Sequence, residues 1–204
     1  MVVGLLVLLA FAVGSIPFGL VIGRIFFRTD IRTHGSGNIG AMNALRSLGK
    51  GGAIAVLLLD LAKGALPVLG AAHFGMRDFP LAFIAGAAVL GHCFSPWLGF
   101  HGGKGVATSF GAVLALSPPA GAICILGWAL GALVITPYSS VGSILSMLLA
   151  PPALWLMTHS LAEALFGLVA AALILYTHRE NIERLRNGTE NPIPFLKGRS
   201  RRGG

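Results

Sequence analysis

The segment Gly99-Phe100-His101-Gly102-Gly103-Lys104-Gly105-Val106-Ala107-Thr108 sets glycines, a lysine and a hydroxyl between two long apolar runs. Neighbouring glycines let backbone N–H groups turn one way, and the lysine adds a full positive charge. A helix starting near Val106 would add the positive end of its dipole. This grouping suits a phosphate. It is not the loop of nucleotide hydrolases, whose spacing requires Gly at 98 and Ser or Thr at 105, where this chain has Leu98 and Gly105. Lys104, Gly102, Gly103, Gly105 and Thr108 are the candidate contacts.

A second stretch reads His34-Gly35-Ser36-Gly37-Asn38-Ile39-Gly40-Ala41-Met42-Asn43-Ala44-Leu45-Arg46. It offers donors without a carboxylate, which suits an anionic substrate and argues against a divalent metal. A helix over about 40–48 sets Asn43 and Arg46 three apart on one face. Ser36, Gly37, Asn38, Gly40, Asn43 and Arg46 are the candidates here, although a capped loop helix with one orienting arginine accounts for the same residues. Further on, Tyr138-Ser139-Ser140-Val141-Gly142-Ser143 presents hydroxyls at the start of an apolar run, with Ser143 the expected contact; helix capping explains the stretch equally well.

The C-terminal region from His178 to Glu190 reads as a helix with His178, Asn181 and Leu185 on one side and Arg179 paired with Glu183 on another. His178 is the best candidate for a general base, since histidine ordinarily titrates near pH 6.5. Asp60 and Lys63, three apart inside an apolar run, read as a structural ion pair supporting the site.

These residues hang on a strongly apolar frame. Of 204 residues, 55% are hydrophobic and 11% charged, which fits a multi-pass membrane protein and leaves no room for a second, soluble domain. Residues 2–22, 51–72 and 79–98 are long enough to cross a bilayer. No charged residue lies between Lys104 and Glu163, and prolines cut that interval into runs at about 105–117, 120–136 and 141–157, with a last run at 163–177. The expected fold is all-α with about seven spans, an extracytoplasmic N-terminus and a cytoplasmic C-terminus. That topology places nearly all Lys and Arg residues on the cytoplasmic side, together with the polar stretches. Residues 1–198 form a single domain, and 199–204 read as a disordered tail or cloning scar. The uncharged 2–22 run reads as a retained span, not a cleaved signal.

Several readings fall away. The basic residues are dispersed with almost no aromatics among them, so nucleic acid is not a partner. The two cysteines, Cys93 and Cys124, form no metal or disulfide pattern. His73 and Asp78 have the His-x4-Asp spacing of many glycerolipid acyltransferases, but the topology puts them on the face opposite the phosphate-suited stretches. The sequon Asn187-Gly188-Thr189 falls on the cytoplasmic side. Gly19-x-x-x-Gly23 and Gly127-x-x-x-Gly131 fit close helix packing.

Together the stretches 35–46, 102–108 and 178–190, with Asp60-x-x-Lys63-Gly64 between them, resemble the PlsY family of bacterial acyl-phosphate:glycerol-3-phosphate acyltransferases. The resemblance implies a seven-span enzyme of the cytoplasmic (inner) membrane with its active site facing the cytoplasm. It implies transfer of a fatty acyl group from acyl phosphate to the 1-hydroxyl of glycerol 3-phosphate, yielding lysophosphatidic acid and phosphate. It further implies that Ser36, Arg46, His178 and Asn181 matter for activity, that Gly102, Gly103 and Gly105 bind glycerol 3-phosphate, and that Glu190, with Arg184 nearby, supports the site. Met42 stands where the family often has Thr, and Asn191-Pro192 departs from the usual ending. No cofactor, metal or obligatory protein partner is expected beyond the two substrates and the bilayer.

The chemistry agrees. An acyl phosphate is a mixed anhydride, so alcohol attack needs little activation of the nucleophile but does need stabilisation of an oxyanion and of departing phosphate. The hydroxyl proton goes either to the donor's own phosphate or to His178. The main rival is a transporter for a phosphorylated solute; a headgroup transferase lacks its aspartate-rich metal motif.

Overall fold

The computed structural model describes residues 1–198; the expected tail or scar at 199–204 lies outside the described residues. Those residues are helical throughout their regular structure. Pro17 has no N–H for a helical ladder, and α1 (Val2–Ser15) stops just ahead of it. α2 (Phe18–Phe27) departs at 41° and ends on Arg28 in the left-handed region. After α3 (Ala41–Ser47) come α4 (Gly49–His73), α5 (Phe79–Cys93) and α6 (Val106–Leu116). α7 (Pro118–Ala129) continues as a π-turn over Leu130–Ile135, and α8 (Ser139–Thr158) runs through Pro151 and Pro152. α9 (Leu161–Thr177) bends by 56° into α10 (Arg179–Arg186). Ser117 and Ser160 cap α7 and α9 by accepting from the N–H groups of Ala120 and Glu163.

α1 packs on α5, α4 on α6, and α8 on both α7 and α9. Glycine sets these distances. A Cβ on Gly14 or Gly91 would collide with the backbone of Ala88 or Phe11 across α1 and α5, and one on Gly64 or Gly111 with Thr108 or Leu61 across α4 and α6. Gly127 and Gly131 likewise meet α8, but Gly19 and Gly23 face the loop at Ile39 and Thr29, so that glycine pair seats a loop and not another helix. Gly64→Ala should force α4 off α6 and lower the melting temperature in detergent, with the roughly 1–3 kcal/mol cost of overpacking. An unchanged melting temperature would mean that the two helices separate freely.

The buried core is rich in alanine, while leucines such as Leu8, Leu58, Leu126 and Leu168 stay exposed, as a lipid-facing surface requires. Among the described residues, four helical segments are long and apolar enough to cross a bilayer, or six when each bent pair counts as one span. The expectation of about seven differs at α6. Its 11 residues reach about 16 Å at 1.5 Å per residue, short of a hydrocarbon core of about 30 Å. The run at 2–22 is two helices joined at a 41° bend, and it is long enough to cross only when the pair counts together as one broken span.

Candidate active site

The loop before α3 is folded around one side chain. Asn43 is buried; its Oδ1 accepts from the Ser36 N–H at 2.8 Å, and its Nδ2 donates to the carbonyls of Ile31 (2.7 Å) and Asn38 (2.8 Å). Asn38 in turn accepts from the Gly40 N–H at 2.9 Å. The Ser36 backbone is thereby fixed while its side chain stays exposed. Asp30 anchors the outer edge through Arg32 and Arg24, and the Arg32 guanidinium holds the Asp30 carboxyl well below the usual carboxylate range.

The glycine loop is organised differently from the expectation. The N–H of Gly102 donates to the Cys93 carbonyl at 2.9 Å and that of Gly103 to the His92 carbonyl at 3.0 Å, so neither amide is open to a phosphate. These glycines are needed because a Cβ at either position would collide with the last turn of α5. Gly105, at φ 84°, turns the chain into α6. Lys104 is half-buried, and its Nζ donates to Asn181 Oδ1. Burial, aided by the neighbouring Arg184, lowers its pKa to about 8.

The third stretch supplies Lys104's partner. Glu190 is buried and collects three donors: Asn181 Nδ2 (2.6 Å) and Ser140 Oγ (3.0 Å) on Oε1, and Arg184 Nε (2.8 Å) on Oε2. With its amide nitrogen committed to a carboxylate, Asn181 must present its oxygen to Lys104. His178 Nδ1 lies 2.9 Å from the Ile174 carbonyl, which makes Nδ1 the protonated nitrogen and leaves Nε2 as the acceptor. Burial, with Lys104 second, lowers the His178 pKa to about 4. One Arg46 nitrogen donates at 3.3 Å to the carbonyls of both Asn191 and Pro192, which ties α3 to the C-terminal strap, and burial pulls its pKa below the usual arginine range.

Two cavities open here. The larger, of about 440 Å³, has a polar end with Ser36, Arg46, Lys104, His178, Asn181 and Glu190, and an apolar end with Leu57, Leu61, Phe110, Leu114, Ile125 and Trp128. The smaller, of about 200 Å³, is walled by Arg32, Gly37, His101, Gly102 and Glu180. They share Ser36, Asn38, Lys104 and Arg184. Asn38, Gly40, Asn43, Asp60, Gly105, Ser143 and Arg184 also border the larger cavity. Gly103, Thr108 and Lys63 border neither. Gly103 lies on the His92 ring, and Thr108 is buried with its hydroxyl unpartnered, its backbone against Gly64. Lys63 makes the expected pair with Asp60 (2.8 Å) and also donates to the Ile16 carbonyl (2.7 Å) at the α1–α2 break, which accepts from the Phe18 N–H as well. Ser143 donates to the Ser139 carbonyl within its own helix. His92, Ser140 and Trp128 were not among the expected residues; a histidine inside an apolar span was the available signal for the first.

A profile described as glycerol-3-phosphate acyltransferase matches residues 4–188. The chain belongs to the glycerol-3-phosphate acyltransferase family. It is therefore a membrane acyltransferase. The glycerol-3-phosphate acyltransferase of Methylorubrum extorquens (strain PA1) is 47% identical over 91% of this chain and 90% of its own length. That of Rubrobacter xylanophilus is 42% identical over 98% of both chains. Among solved structures, the glycerol 3-phosphate form of PlsY (YgiH), an integral membrane glycerol 3-phosphate acyltransferase, aligns with a TM-score of 0.90 at 39% identity, covering 97% of this chain and 98% of that one. A lysophosphatidic acid form of PlsY aligns at 0.85 over 94% and 95%.

Proposed function

We propose that this acyltransferase moves a fatty acyl group from acyl phosphate to the 1-hydroxyl of glycerol 3-phosphate, releasing lysophosphatidic acid and phosphate. The setting is a multi-span helical fold in the bacterial inner membrane, with the site facing the cytoplasm. The observation that carries this reading is the meeting of an amphipathic cavity with a polar one at Ser36, Asn38, Lys104 and Arg184. The apolar end suits an acyl chain, and Lys104 at the junction with Arg46 in the larger cavity suits two phosphates held side by side. A thioester donor would leave as a thiolate and would need no second phosphate site beside its carbonyl. The glycerol 3-phosphate and lysophosphatidic acid forms named for the PlsY structures support the acceptor and the product.

Lys104 and Arg46 bind substrate phosphate, Ser36 donates a hydroxyl, and Asn181 holds Lys104 in place. Transfer is direct in this reading, without a covalent intermediate: Cys93 and Cys124 border neither cavity, the Ser140 and Ser143 hydroxyls are already donated, and the Ser36 and Ser139 hydroxyls have, among the described residues, no histidine or carboxylate hydrogen-bonded to them as an activating base. His178, neutral at working pH, binds and orients the acceptor while the donor phosphate takes the proton. Purified protein given acyl phosphate and glycerol 3-phosphate should release phosphate only when both are present, and the shape of the acidic side of its kcat/KM profile should be unchanged in His178→Gln. Turnover with acyl thioesters alone would overturn the donor assignment. An acidic limb that disappears in His178→Gln would make His178 the base.

A further inference from the structure

His92 stands in the last turn of α5 and is 4% exposed. Its Nδ1 is sealed from solvent without a hydrogen-bond partner and lies 3.7 Å from Asp60 Oδ1, also unpartnered apart from its ion pair to Lys63. The opposite edge of the ring, led by Nε2, lies against Gly103 so closely that no Cβ fits there. The His92 carbonyl meanwhile accepts from the Gly103 N–H. One residue thus grips Gly103 through both its ring and its backbone, and Lys104 comes next in the chain. Behind the ring, Asp60 is pinned by Lys63, which is pinned by the Ile16 carbonyl. A side chain held this way transmits the placement of α4 to the glycine loop.

We propose that His92, braced by the Asp60–Lys63 pair, is a positioning residue that sets the height of Lys104 against Asn181 at the junction of the two cavities. The two unpartnered atoms, His92 Nδ1 and Asp60 Oδ1, face each other at 3.7 Å, close enough for the carboxylate to favour a proton on Nδ1 and to bias the tilt of the ring that packs on Gly103. This inference rests on the assignment of Lys104 to substrate phosphate. It makes His92 act only through Lys104, which separates it from a residue that merely fills space.

The test is a double-mutant cycle with acyl phosphate and glycerol 3-phosphate. His92→Ala, which removes the contact to Gly103, should lower kcat about ten- to a hundredfold, the scale of a small misplacement of a reacting group. His92→Gln, whose amide reaches the Nε2 position, should recover much of that loss. The KM for each substrate should change less than kcat. In a Lys104→Ala background the same His92→Ala change should add less than about twofold, because the group it positions is gone. Losses that multiply in the double variant, or unchanged kcat in His92→Ala, would overturn the proposal. Should His92→Ala fail to fold, His92→Asn, which keeps a polar side chain toward Asp60 but falls short of Gly103, is carried through the same cycle with the same expectations. Full turnover in Lys104→Ala itself would instead refute the phosphate assignment.

Discussion

Lys104→Ala should lower kcat/KM by about 10²–10³-fold while the protein remains folded. The size follows from removing one preorganised charged donor from a site partly shielded from water. The fold should survive because Lys104 does not satisfy a buried carboxylate: its Nζ meets the neutral Asn181 oxygen, and the Asn181 nitrogen stays on Glu190. Lys104→Arg separates charge from shape and should keep part of the activity. The same residue predicts a pH dependence. With its pKa lowered to about 8, Lys104 is cationic below that pH and loses its charge above it. The kcat/KM of the free enzyme should therefore fall on an alkaline limb near pH 8. In kcat the limb should move upward, since a bound phosphate stabilises the ammonium. Lys104→Arg should abolish the limb. A limb unchanged by that substitution would assign it to another group.

Glu190→Ala should be the most destabilising single change in the site. One buried carboxylate holds donors from α8 and α10, so its removal strands the Asn181 amide and the Ser140 hydroxyl and leaves Arg184 only its longer ion pair with Glu180 at 3.9 Å. Breaking a buried pair costs about 3–5 kcal/mol, and the lower end applies because the Arg184 side chain is 29% exposed and its charge is partly hydrated. Activity should be lost with stability, because Asn181 is then free to turn its nitrogen toward Lys104. Glu190→Gln keeps the shape and one acceptor oxygen and should lie between. The check is thermal unfolding in detergent beside turnover. Equal melting temperatures for Glu190→Ala and the unaltered protein would show that α10 is held by other contacts.

Much of this architecture can be read from residue order alone. Helix α3 falls inside the expected 40–48, the ion pair of Asp60 with Lys63 forms as its spacing requires, and polar residues from three distant stretches line a shared cavity. What stays hidden depends on partners far along the chain. The amides of Gly102 and Gly103 look free in the sequence, and only the fold shows that His92 and Cys93 occupy them. Asn43 looks like a substrate contact, but its amide is largely spent on its own loop. His92 sits in a span whose hydropathy draws attention away from it. The length of α6 is a similar case: proline and glycine mark its ends, but the apolar run around it suggests a longer crossing.

The bond from Lys63 to the Ile16 carbonyl also bears on how the chain is assembled. Its two ends are 47 residues apart, so the first helix and the bend emerge from the ribosome well before the lysine. The Ile16 carbonyl also accepts from the Phe18 N–H at 3.1 Å, so the bend is satisfied before the lysine arrives. The Lys63 ammonium is not: a charge in hydrocarbon is costly unless matched, and its partners are Asp60 on its own helix and this carbonyl. The earlier segment therefore prepares the later one, because the bend is already in place as a docking point when α4 inserts.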